Sequence, residues 1–179
     1  SRPHMPYKGL IMAILISPMI VPLIITAAGM FFFYARINLV YSFTGIILAH
    51  VALATPFVVI TVTATLVGFD MNMVKASQSL GARPVRTFFK VIMPLILPGV
   101  ISGALFAFIT SFDEVVVVMF MASLDQLTIP KQMWAGIRQE ISPVILCMAT
   151  CLVILSILLL TTVELLRRRS EKLRGIKSR

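Results

Sequence analysis

Asp113 and Glu114 stand side by side in an otherwise apolar stretch, FITSFDEVVVVMFM. A charge near the middle of a bilayer costs at least about 2.5 kcal/mol, so such acids face inward, pair, or give up their charge. Two of them here would attract a cation beside a translocation path. The plainer use is a hydrogen bond between helices, a partner contact, or a place near the outer interface. On a helix, neighbouring side chains point about 100° apart, so both cannot face one narrow path equally. His50 also lies within an apolar run. It could relay a proton, although a lone histidine on an apolar helix is more often a satisfied packing residue. Cys147 and Cys151 are one helical turn apart without a histidine or acid nearby, which fits small packing groups better than metal ligands. No Ser/His/Asp arrangement, zinc-type spacing or G-x-x-x-x-G-K-[ST] phosphate loop is present, so the reading is not an enzyme, and no cofactor is expected.

A second kind of chemistry lies in the polar island DMNMVKASQSLGARPVRTFFKVIMP, from Asp70 to Pro94. Asp70 can cap a short helix by accepting from its first amides. Gly81 can end it in the left-handed conformation. Pro84 suits the first position of a second helix. Val85, Phe88, Phe89 and Ile92 share one apolar face, with Arg83, Arg86 and Lys90 off it. That second helix should lie along a membrane surface or lead into the bilayer at Pro94. The first carries the small residues Ala76, Ser77 and Ser79, a low-relief surface for another protein.

The elements that must hold these residues are membrane spans. The chain has 179 residues, 59% of them hydrophobic, with a mean hydropathy of +0.99. Four apolar runs, 9–34, 41–69, 95–121 and 143–166, are each long enough to cross about 30 Å of hydrocarbon. Between them lie the island 70–94 and a polar segment 122–142, with a short helix expected over Pro130 to Arg138 and Trp134 as an interfacial anchor. A basic tail, 167–179, should be mobile. Pro18 and Pro22 should kink or locally unwind the first run. Gly99, Gly103 and Ala107 recur every fourth residue, a strip that admits a close helix from this chain or another. The fold class is all-α, a single polytopic membrane domain.

Charge gives the orientation. Arg2, Lys8, Lys75, Arg83, Arg86, Lys90, Arg167, Arg168, Arg169, Lys172, Arg174, Lys177 and Arg179 fall on one side of a four-span chain; Arg36, Lys131 and Arg138 fall on the other. Thirteen against three puts the island and both termini in the cytoplasm. The same placement argues against nucleic acid as the partner of the net +9 charge, because the cations flank apolar spans rather than an aromatic-studded face.

The island resembles the cytoplasmic "EAA" loop of ABC importer permeases. That pattern is a Glu-Ala-Ala triplet, a glycine after three more residues, and a closing Ile-x-Leu-Pro. Lys75, Ala76, Ser77, Gly81, Val91, Met93 and Pro94 occupy those positions with the same spacing. Lys75 departs from the pattern and reverses a charge. SPMIVPLIITAAGMFFFYARINL, GALFAFITSFDEVVVVMFM and LTIPKQMWAGIRQEISP are similar to permease subunits of spermidine/putrescine-type importers. The resemblance implies a MetI-like helical bundle, with two further spans expected ahead of those present here.

It also implies a mechanism and partners. Two permease subunits would form the path in a bacterial inner membrane. A separate ATP-binding subunit, which binds the ATP, would dock on Lys75, Ala76, Ser77, Leu80, Gly81 and Pro94. An extracytoplasmic solute-binding protein would meet the outer side, and lipid the remainder. The solute would be small, cationic and polyamine-like. The rival readings are a truncated scaffold that transports nothing, and an ATP-independent channel or secondary carrier.

Overall fold

The computed structural model describes residues 6–139 and 142–173. Arg2 and residues 174–179 of the basic tail lie outside the described residues. The described chain is helical throughout, without strands. In order it forms α1 (Lys8–Ile20), α2 (Leu23–Arg36), α3 (Phe43–Val67), α4 (Met71–Ser79), α5 (Pro84–Thr87), a π-helical turn (Phe88–Ile92), α6 (Met93–Phe112), α7 (Val116–Met121), α8 (Ile129–Gln139) and α9 (Pro143–Leu173). Three helices are long and apolar enough to cross a membrane: Phe43–Val67, Pro84–Phe112 and Pro143–Thr162.

Of the kink or local unwinding expected in the first apolar run, the structure shows the unwinding. The run divides at Val21–Pro22, and α1 and α2 meet at 111°. Val21 is extended (φ −75°, ψ 136°), the conformation that the ring of a following proline imposes. Pro22 has no N–H for the preceding turn, so the run breaks outright. With that bent pair counted as one span, the described residues hold up to four.

The third run is also shorter than its apolar length suggests. α6 ends at Phe112, and Asp113, Glu114 and Val115 separate it from the short α7. At its other end, α6 continues back through the π turn to Pro84. The second half of the island is therefore the start of a membrane helix rather than a separate surface helix. Pro94 offers no N–H to the carbonyl of Lys90, and the widened turn before it accommodates its ring. α9 runs past the fourth apolar stretch into the basic tail, as far as Leu173.

α3 and α6 form the principal seam. A Cβ on Gly103 would lie 2.6 Å from Thr61 Oγ1 and 3.0 Å from Val58 Cα, and one on Gly99 would overlap Thr65 Oγ1. Only a residue without Cβ permits that approach. The threonines can sit there because their hydroxyls bond within their own helix: Thr61 Oγ1 donates to Phe57 O (2.9 Å) and Thr65 Oγ1 to Thr61 O (2.9 Å). The strip thus serves contact within the chain. A second cluster joins α2, α3 and α7 through Ala27, Ala49, Leu53, Val117 and Met121. Most other large apolar side chains are exposed, as expected where hydrocarbon is the solvent.

Candidate functional site

The acidic pair sits in the gap between α6 and α7, and its two members do different things. Glu114 is 6% exposed. Its Oε1 accepts from Val117 N–H (2.7 Å) and its Oε2 from Val118 N–H (3.0 Å). These amides are orphans of a helix start, where a negative charge is also favoured by the helix dipole. Asp113 ends α6, with its N–H donating to Ile109 O (3.3 Å), and its side chain is exposed. The expectation that both acids lie inside one long helix is therefore overturned. The run of four valines after Glu114 hides the break, because it reads as continuous apolar sequence.

Asp113 borders two cavities. One, of about 550 Å³, is lined by the broken first run (Pro18 to Leu23), by Leu53 and Phe57 of α3, and by Thr110 and residues 113–116. The other, of about 410 Å³, lies between the end of α6, α8 and α9, and includes Trp134 and Leu152. The two helix breaks, 21–22 and 113–115, thus face the same space. His50, on α3, adjoins the acidic break. Its Nδ1 is 2.6 Å from Ser111 Oγ, and its Nε2 is 3.9 Å from Glu114 Oε2. Ser111, four residues after Ala107, is a polar partner that the sequence analysis did not single out. The available signal was one polar side chain on each of two adjoining apolar helices.

The loop around α4 is the second candidate. Asp70 caps α4, accepting from Asn72 N–H at 2.9 Å. Gly81 adopts φ +79°. Its N–H donates to Gln78 O (2.9 Å) and Ala82 N–H to Ser77 O (3.1 Å), the paired bonds of a Schellman stop. Ser77 Oγ lies 3.0 Å from Thr87 Oγ1, and Thr87 is buried. That bond fixes α4 against α5, a part for Thr87 that sequence reasoning missed because the two hydroxyls lie ten residues apart. α4 stands between two open grooves. Ala76, Ser77, Leu80 and Gly81 line one of about 720 Å³, and Lys75 lines the other, of about 600 Å³. Met71 and Met73 of α4, and Leu80 just after it, are exposed.

Residues 2–172 match the family model described as "binding-protein-dependent transport system inner membrane component". The chain belongs to that family. It is 31% identical over 164 residues to the spermidine/putrescine transport system permease protein PotC of Haemophilus influenzae, covering 92% of this chain and 62% of that protein. With PotC of Escherichia coli K12 the identity is 29% over 165 residues, covering 92% and 61%. With the putrescine transport system permease protein PotI of the same strain it is 29% over 140 residues, covering 75% and 50%. The chain thus spans less than two thirds of the length of these relatives. Within this family it is a membrane component, and its described residues hold several helices long and apolar enough to cross a membrane.

Other residues singled out in this family member fall as follows. Gly99 and Gly103 are buried against α3, and Ala107 is half-buried further along α6. Pro94 is exposed within the continuous helix, away from both grooves beside α4. Cys147 and Cys151 are free and exposed, and no group of metal-ligating side chains occurs among the described residues. Trp134 on α8 lies under the Arg138 guanidinium, 5.4 Å from the ring centroid.

Proposed function

We propose that this chain forms part of the translocation path of an ATP-driven importer for a small cationic solute of the polyamine class, and that it meets a separate ATP-binding subunit through α4. The observation that carries the reading is Asp113, an exposed carboxylate at a helix break that opens on two largely apolar cavities. Such a place suits an alkyl amine, whose ammonium meets the carboxylate while its methylenes lie on apolar walls. The names of the relatives support the same solute class.

Coupling would use the rigid stop at Gly81 and the Ser77–Thr87 bond. A push on α4 passes through that bond into α5, which is continuous with α6. α6 ends at Asp113, so one helix joins the docking element to the cation-facing acid. ATP on the partner and a loaded solute-binding protein would bias this two-state element from opposite sides. The solute-binding protein would meet the segment 122–142, and a second permease subunit would complete the path. The thirteen-to-three division of cations supports cytoplasmic termini in the inner membrane, with α1 and α2 as one broken span.

The test is purification of the tagged chain from its native membrane in mild detergent, with radiolabelled putrescine uptake measured in the same cells. Recovery of a P-loop ATPase that Gly81→Pro or a bulky residue at Ala76 abolishes, with uptake lost in Asp113→Asn, supports the reading. A folded chain that retains no ATPase, or uptake indifferent to Asp113, overturns the corresponding half.

A further inference from the structure

We propose that His50 is a positioning residue for Asp113. With Ser111 on one side of the acidic break and Glu114 on the other, it holds the two helix ends that present Asp113 to the cavity. The inference deepens the reading of Asp113 as the cation-facing acid and rests on it, but one arm of its test does not.

Ser111 lies in the last turn of α6, Asp113 ends that helix, and Glu114 opens α7. His50 approaches from α3. Its Nδ1 meets Ser111 Oγ at 2.6 Å, and its Nε2 faces Glu114 Oε2 at 3.9 Å. One imidazole therefore spans the break, touching the residue two before Asp113 and facing the residue just after it. Asp113 itself turns away to the two cavities.

The donors and acceptors fit this arrangement in only one neutral form of the ring. An ionised carboxylate only accepts, so the nitrogen facing Glu114 must carry the proton. Nδ1 then has the lone pair and accepts from the Ser111 hydroxyl. Protonation of both nitrogens satisfies the Glu114 side equally well, with Ser111 Oγ then accepting. Nε2 is buried and makes no hydrogen bond, because it stands 3.9 Å from Glu114 Oε2, an oxygen that accepts from the Val118 amide. The carboxylate thus has two claimants, the start of α7 and the imidazole on α3. Glu114 occupied in this way is not a ligand for the solute. Its work is to set where α7 begins, and His50 with Ser111 sets where α6 ends.

The first arm of the test reads the position of residue 113 without any solute. In native membranes carrying Asp113→Cys, with Cys147→Ser and Cys151→Ser, labelling by a water-soluble maleimide is timed. His50→Leu should change the rate by about fivefold, the scale of one net hydrogen bond, and His50→Gln should return it towards the starting value. Equal rates in all three backgrounds would overturn the proposal. If His50→Leu fails to reach the membrane, Ser111→Ala removes the same bond by a single atom and is read in the same way.

The second arm uses the complete transporter with its own Asp113 and radiolabelled putrescine. His50→Leu and Glu114→Gln should each raise KM, and the double variant should be no worse than the stronger single one, because residues acting as a unit are not additive. Multiplied effects would overturn the proposal. Wild-type transporter that moves no putrescine would instead sink the assignment of solute, leaving the labelling arm to decide the role of His50.

Discussion

The first and third apolar runs are both broken, by opposite chemistry. At Val21–Pro22 the break comes from a missing donor: the proline removes an N–H, and no side chain caps α2. At Asp113–Val115 it comes from an added acceptor: Glu114 supplies two oxygens to the first amides of α7. The first break bends the run by 111° and leaves apolar walls. The second keeps one acid buried and leaves its neighbour free. Because both line the same cavity, the pair combines a shaped wall with a single accessible charge. A proline break is a defect that the fold tolerates, whereas the acidic break is held in place by bonds that can be removed one at a time.

That contrast orders the expected outcomes. Glu114→Ala should have the largest effect, about 3 kcal/mol of lost stability, since it leaves two buried amides without acceptors; thermal unfolding of the purified chain in detergent reads this directly. A midpoint equal to wild type would place the break under the control of sequence propensity instead. Gly81→Ala should cost about 1 kcal/mol, because φ is +79° there and a Cβ is strained in that region even where open space surrounds it; the same unfolding assay applies, and ATPase retention should weaken without being lost. Pro22→Ala restores a donor at the N-cap of α2 and should shift stability by less than about 1 kcal/mol, while a spin-label distance between α1 and α2 should lengthen as the bend relaxes. An unchanged distance would mean that packing, rather than the missing N–H, sets the angle. Asp113→Asn should be nearly silent in stability, within about 0.5 kcal/mol as for other exposed sites, yet should weaken putrescine uptake. A large loss of stability would show that Asp113, like Glu114, is a structural group.

The sequence made some of these features easy to see and concealed others, for physical reasons. Asp70, Gly81 and Pro84 act through the backbone next to them, so their spacing alone marks where α4 begins and ends. Pro18 and Pro22 announce a distortion, but its size depends on what the freed carbonyls and the next helix find to pack against. Hence the prolines allow either a kink or a local unwinding, and the structure shows the unwinding, with a 111° bend across it. Glu114 is harder. Glutamate is not among the favoured capping residues, and the valines that follow are as compatible with a continuing span as with a new helix. What decides between them is a pair of bonds from Glu114 to amides three and four residues on, which form only if the helix breaks there. The Ser77–Thr87 and His50–Ser111 pairs are hidden for another reason, since each joins residues that only the tertiary fold brings together. The glycine strip was legible as a packing surface, but its partner was not: Thr61 and Thr65 are unremarkable in sequence until their hydroxyls are seen to bond inward.

Those threonines have a mechanical consequence. Because their hydrogen bonds stay within α3, the inner length of the α3–α6 seam is a contact between glycine backbone and satisfied side chains. Sliding along it breaks no polar link at those positions. At the far end, His50 and Ser111 tie the same two helices together. A joint that is pinned at one end and slippery along the rest does not shear; it swings. A displacement delivered at α4 would become a rotation of α6 about its pinned end, with its widest arc on the side of the docking loop and its smallest beside Asp113.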